Sequence, residues 1–143
     1  MVTVRPALDH DLDVVCHLLT RNELPVLGVK EHLRDFFVAE EDGSVIGAIG
    51  LERYEETGLL RSAVVDRSKQ GKRIGSKLVD TLLRSARATG VKKLVLLTNT
   101  AEQYFARKGF RTIDRSTLDG PVTRSVEFTD ACPSHAVCME KIL

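Results

Sequence analysis

Residues 66–78, DRSKQGKRIGSKL, gather four cations (Arg67, Lys69, Lys72 and Arg73) around Gln70, Gly71 and Gly75. An apolar run, LLRSAVV, comes just before this stretch and a helical pattern follows it. The start of a helix presents backbone N–H groups without intrahelical acceptors and the positive end of the helix dipole, so it attracts anions. Glycine lets the backbone come close to a bulky anion, and lysine and arginine add Coulomb attraction to phosphate. The chemistry on offer is recognition of a phosphate or pyrophosphate. Two familiar nucleotide motifs do not fit. The P-loop needs two glycines five residues apart and then Lys-Ser/Thr, while the dinucleotide fingerprint needs three glycines where only Gly71 and Gly75 stand. On these residues alone, a basic loop with a helix-capping glycine stays open as the alternative.

A second group of reactive side chains lies near the C-terminus. CPSHAVC sets Cys132, His135 and Cys138 three residues apart. Soft thiolates suit zinc or arsenite. A strand over residues 134–142 would turn His135 and Cys138 to opposite faces, and no fourth ligand stands near for a structural zinc. The preferred reading is buried cysteines acting as small hydrophobes, with no metal. His10, His17 and His32 show no partner pattern and are expected to face solvent.

The elements that must position these residues follow from pattern. At 143 residues the chain fits one domain, residues 1–143, with 43% apolar and 29% charged side chains, ordinary for a soluble globular protein. A net charge of +1 argues against a nucleic-acid or membrane-surface binder, so positive charge matters locally. No stretch reaches the length of a membrane span, the first residues lack signal-peptide features, and three cysteines make no disulfide framework. A cytoplasmic location is expected.

TVRPA reads as a first strand. From Asp9 the apolar residues Leu12, Val15, Cys16 and Leu19 fall on one helix face, and VKEHLRDF suggests a short second helix. FFVAEEDGSVIGAIGLERY reads as a hairpin around Asp42-Gly43, and GLLRSAVV as a strand too apolar for an edge. The helix after the basic turn buries Ile74, Leu78, Leu82 and Ala86, with Gly90 just past its end. KKLVLLTN is a buried strand, AEQYFARKGF a short helix, and RTIDRS and SHAVCMEKIL are strands. Residues 121–129 read as helical, with Pro121 in the first turn. The expected class is α/β (α+β): a mixed sheet with helices on both faces.

In this context VVDRSKQGKRIGSKL resembles the central signature of the GNAT superfamily of acyl-CoA-dependent N-acetyltransferases: a strand ending at Val65, then a motif headed by Gln70 and closed by Gly75. AEQYFARKGF is similar to that family's second signature at Ala101, Gly109 and Phe110. The order of elements fits over nearly the whole chain. There are two departures. Arg73 stands where the family has a middle glycine, and Phe105 where it often has the tyrosine that protonates the leaving thiolate. Tyr104 is one residue early and points about 100° away on a helix. More narrowly, VAEEDGSVIGAIGLERYEETGLLRS with EFTDACPSHAVCM resembles a group of arsenic-resistance N-acetyltransferases of the second class.

The resemblance implies a centrally splayed sheet and direct transfer of acetyl from acetyl-CoA to the amine of a small acceptor, amino-acid-like or arsenical. Pantetheine would pair with Ala63, Val64 and Val65. The pyrophosphate would sit on Gln70, Gly71, Lys72, Arg73, Ile74, Gly75 and Ser76, with Asn99 and Phe105 completing the CoA site. An alkylammonium must lose a proton before it attacks, so Glu52, at the end of VIGAIGLE, is the first candidate for base and acceptor contact. The alternative for Glu52 is the end of a strand, paired with Arg53 or Arg61. Arg61 could bind a carboxylate, phosphonate or arsonate of the acceptor; its alternative is a salt bridge to Glu52 or Glu55. With Phe105 in the acid's place, Tyr104, Ser62 or water could serve. A peptide or protein acceptor, and a non-catalytic acyl-CoA-binding or arsenical-sensing module, remain as alternatives. A homodimer is compatible with all of these.

Overall fold

A computed structural model describes residues 1–131 and 136–143. Eleven regular elements build it: β1 (Val2–Pro6), α1 (Leu12–Arg21), α2 (Val29–His32), β2 (Phe36–Glu41), β3 (Ser44–Tyr54), β4 (Thr57–Val65), α3 (Ile74–Ala88), β5 (Lys93–Thr98), α4 (Glu102–Arg107), β6 (Arg111–Ile113) and β7 (Val137–Ile142). The strands form one sheet in the order β1-β2-β3-β4-β5-β7-β6. All neighbours are antiparallel except β4 and β5, which run parallel. No helix of the described residues is long and apolar enough to cross a membrane.

The hairpins explain the first half of the sheet. Asp42 and Gly43 both take positive φ, 51° and 82°, as a two-residue turn between twisted strands requires. A second two-residue turn, Glu55-Glu56, joins β3 to β4 with Tyr54 opposite Thr57. That register sets Leu51 against Leu60 and Gly50 against Arg61. Because side chains alternate, Gly50, Glu52 and Tyr54 share one face with Arg61.

Helices cover both faces. On one, the apolar stripe of α3 (Ile74, Leu78, Val79, Leu82, Leu83 and Ala86) packs on Ile49, Leu51 and Leu60, and α4 adds Phe105. On the other, Val15, Leu18 and Leu19 of α1 and Val29 of α2 pack on Phe36, Val38, Ala48 and Val64. A third small cluster, Leu59, Val95 and Val122, continues that second face. Its cover is irregular. Residues Pro121–Arg124 form a 3-10 turn and Glu127–Ala131 a π-turn, where the sequence pattern suggests one helix. Pro121 does stand at the first turn, but Ser125 leaves helical geometry with ψ 143° and ends it.

The sheet is split in its middle. Parallel pairing joins only Thr57–Leu59 to Lys93–Val95; beyond these residues β4 and β5 share no ladder. A β-bulge lies on the open part of β4, where Ser62 and Ala63 together face Ile49 and Ser62 adopts φ 60°.

Candidate active site

The gap between β4 and β5 opens into two cavities that share a wall. The first, about 830 Å³, lies between the loop of residues 22–27, the open part of β4 and the end of β5. The second, about 590 Å³, lies over the glycine-basic turn and the start of α3. Ala63, Val64, Val65, Gln70, Ala101 and Phe105 line both.

In the turn cavity the structure brings together Gln70, Gly71, Arg73, Ile74, Gly75 and Ser76. Lys72 is exposed and lies outside that wall. Arg73 caps α3 in left-handed conformation, φ 62°. The first helical hydrogen bond of this end runs from Lys77 N to Arg73 O at 3.1 Å, so the N–H groups of residues 74–76 belong to the unpaired first turn. A Cβ on Gly75 would meet only Val65 Cγ2, at 3.8 Å, and would otherwise enter the cavity. Lys69, one of the four cations of this stretch, is held by Glu41 at 2.7 Å.

Phe105 is buried in the shared wall, edge-on to Tyr104 and Phe110 with ring centres 5.2 and 5.5 Å away. Tyr104 lines only the turn cavity, and its hydroxyl lies 3.3 Å from Ser76 Oγ. Asn99 lines the larger cavity just past β5.

Behind the larger cavity lies a buried polar network. Glu52 sits within β3, two residues before its end, and is fully buried. Its carboxylate accepts hydrogen bonds from Arg61 Nη1 at 2.8 Å, Ser125 Oγ at 2.6 Å and the Tyr54 hydroxyl. Burial alone would raise its pKa, but the bonds from Ser125, Tyr54 and Arg61 outweigh this and hold it below the usual carboxylate range. Burial and the same carboxylate push the Tyr54 phenol up to about 12. His32 does not face solvent freely. Its Nε2 is 3.8 Å from Glu52 and its ring packs against Tyr54. Arg53 pairs with Asp35, so the partner of Glu52 is Arg61.

Arg61 lines the larger cavity by its position but is sealed by its partners. Besides Glu52, it donates to the Pro25 carbonyl at 3.2 Å and to Ser62 Oγ at 3.0 Å, and lies 3.9 Å from Glu127. Glu52 itself is set behind Arg61 and is not in the cavity wall. Sequence reasoning missed Tyr54, Ser125, Glu127 and the loop of residues 22–27. Tyr54 carried a signal, since it is two residues from Glu52 on a strand; Ser125 and Glu127 lie in the stretch read as a helix, where nothing local points to Glu52.

Of the cysteine tail, Cys132 and His135 lie outside the described residues. Cys138 is buried in β7, and burial pushes its thiol up to about 11. No metal-binding group occurs among the described residues.

Comparison with known proteins agrees with this geometry. Residues 32–112 match the acetyltransferase (GNAT) domain. An amino-acid acetyltransferase of Mycobacterium tuberculosis is 33% identical over 117 residues, 79% of this chain and 64% of the relative, so the match spans less than two thirds of that protein. The solved structure of Rv2747 from Mycobacterium tuberculosis, in complex with CoA and a further ligand, superposes with a TM-score of 0.83 at 26% identity, covering 99% of both chains. N-acetylglutamate synthase from Neisseria gonorrhoeae, complexed with coenzyme A and N-acetyl-glutamate, has the same fold: TM-score 0.85 and 20% identity, over 100% of this chain and 35% of that one. The chain belongs to the GNAT acetyltransferase domain family.

Proposed function

We propose that the protein transfers acetyl from acetyl-CoA to the amine of a small, amino-acid-like acceptor. One observation carries this reading: a strand-shaped gap whose walls serve a helix start suited to anions on one side and a second, larger cavity on the other. The backbone of Ala63–Val65 has no partner strand on its open side, so it can pair with an extended, amide-bearing chain such as pantetheine. The first-turn amides of α3 then meet the diphosphate. The acceptor, its ammonium proton given up to water, enters the larger cavity and attacks the thioester carbonyl across the wall at Phe105. The N–C bond forms as the C–S bond breaks, the sulfur leaves with a proton as the CoA thiol, and the nitrogen's surplus proton passes to solvent. Acetyl-CoA should bind in calorimetry, and free thiol should appear when a responsive amine is added. Binding without thiol release in any amine would favour a non-catalytic acyl-CoA module. An arsenical amino-acid analogue belongs in the same acceptor screen.

In this reading the leaving sulfur is met by Ser62 and not by a tyrosine. Phe105 has no proton to give, and the Tyr104 hydroxyl is turned to Ser76. Ser62 lines the larger cavity, and its oxygen accepts from the Arg61 guanidinium, which leaves its own O–H to donate. Glu52 acts through Arg61, which it orients, as a positioning residue. Ser62→Ala is expected to lower kcat by about 10²-fold with acetyl-CoA affinity kept. Tyr104→Phe should retain most activity. A collapse in Tyr104→Phe alone, with binding intact, would transfer the role to Tyr104.

A further inference from the structure

We infer that the acceptor's side chain is neutral or basic and not acidic, because the one cation that the described residues place in the acceptor wall is already committed inside the protein. The inference deepens the acetyl-transfer reading and rests on it for the role of the larger cavity. Among the described residues lining that cavity, Arg61 alone is a cation; Glu23 and Glu127 are its carboxylates. The Arg61 side chain is fully buried, with each of its nitrogens near a protein acceptor: Glu52, Pro25 O, Ser62 and, farther off, Glu127. To clasp a ligand carboxylate with both forks it would have to turn from Glu52. That would leave a fully buried carboxylate without its guanidinium.

The same contacts show what Arg61 is for. Its bond to the Pro25 carbonyl ties the loop of residues 22–27, which forms one side of the cavity, to the middle of the sheet. Gly28 closes that loop at φ 83°, and a Cβ there would come within 2.9 Å of Arg61 Nη1 and 3.0 Å of Val126. The chain is packed directly onto the ion pair. Arg61 pins the wall and orients Ser62, so the described wall offers no free positive group to an acidic side chain. An acidic side chain would meet the like charge of Glu23 at the exposed edge of the cavity.

Glutamate, glutamine and lysine test this, since their side chains are of similar length and carry a negative, zero and positive charge on a common α-amino acid. Glutamine and lysine should each exceed glutamate in kcat/KM by about tenfold or more, and the gap should widen at low salt. Glutamate equal to or better than both would overturn the inference. Calorimetry on the CoA-loaded protein supplies a readout independent of turnover. If no amine releases thiol but binding keeps the order, the acetyl-transfer reading fails and the charge preference stands. Reversed binding order, or no binding of any of the three at millimolar concentrations, overturns it. Glu52→Gln, checked for folding by circular dichroism, removes the charge that holds Arg61. It should shift the glutamate-to-glutamine ratio toward glutamate by about tenfold. An unmoved ratio in the folded variant would show that pairing with Glu52 is not what withholds Arg61.

Discussion

Arg61→Met is expected to cost about 3–5 kcal/mol of folding stability, measured by urea unfolding at neutral pH. The substitution keeps most of the side chain's volume but leaves Glu52, fully buried, with only Ser125 and Tyr54 as donors. Lysine at this position would keep a charge yet lose the fork that reaches Glu52, Pro25 and Ser62 at once, so Arg61→Lys should fall between. The pH dependence distinguishes an electrostatic loss from a packing loss. In the parent protein the folded pKa of Glu52 is depressed, so its contribution is present at neutral pH and is lost as pH falls through that folded value. Without the guanidinium, burial should raise the same pKa, and the folded variant then takes up a proton as pH falls. The stability gap should narrow as pH falls from neutral toward the ordinary carboxylate value of about 4.3, because the raised pKa of the variant lies above that value. A gap below about 1 kcal/mol would mean that the pair behaves as a surface ion pair. A large gap that does not change with pH would assign the loss to packing.

Gly75→Val should weaken CoA binding by about 100-fold, or about 2.7 kcal/mol, with little change in folding stability. The two effects separate because of where the added atoms go. Gly75 lies in the first turn of α3 with ordinary helical room: its Cβ would touch only Val65 Cγ2, at 3.8 Å. The rest of an isopropyl group would stand in the turn cavity, over the amides that an anion must reach. Gly75→Ala, smaller, should lie between parent and valine. Calorimetric affinity for CoA, read beside the thermal midpoint, decides the matter. Unchanged affinity in a folded Gly75→Val protein would remove the turn from the CoA site.

Much of this architecture was legible because it is written in local chemistry. The Asp42-Gly43 turn, the apolar stripe of α3 and the glycine-basic junction each depend on residues close in sequence. The Glu52–Arg61 pair was legible in principle. Once Glu55-Glu56 is taken as a two-residue turn, register alone puts the two side chains on one face, diagonal neighbours across β3 and β4. What could not be read depends on distant contacts. The bulge at Ser62 has no glycine to announce it, and it is held by an Arg61 side chain whose direction Glu52 and Pro25 decide. Ser125 reaches Glu52 across 73 residues of sequence. His32, expected at the surface, is drawn against Tyr54 and the same carboxylate. Periodicity reports whether a face is apolar, not which polar group it will meet.

The short parallel seam between β4 and β5 also has a mechanical consequence. Among the described residues, three pairs, Thr57–Leu59 with Lys93–Val95, are the only ladder joining a four-strand block (β1–β4) to a three-strand block (β5, β7 and β6). Each block has its own antiparallel ladders, so the molecule is two half-sheets meeting at one end, like the arms of a clip. A ligand lying in the notch as an extra strand would act as a crosslink between the arms. Occupancy and rigidity then belong to one thermodynamic cycle: whatever fills the notch in the folded chain, and not in the unfolded one, raises resistance to unfolding by mass action. On the proposed reading, the open seam takes a co-substrate, and the empty protein is then the form with the fewest links between its arms.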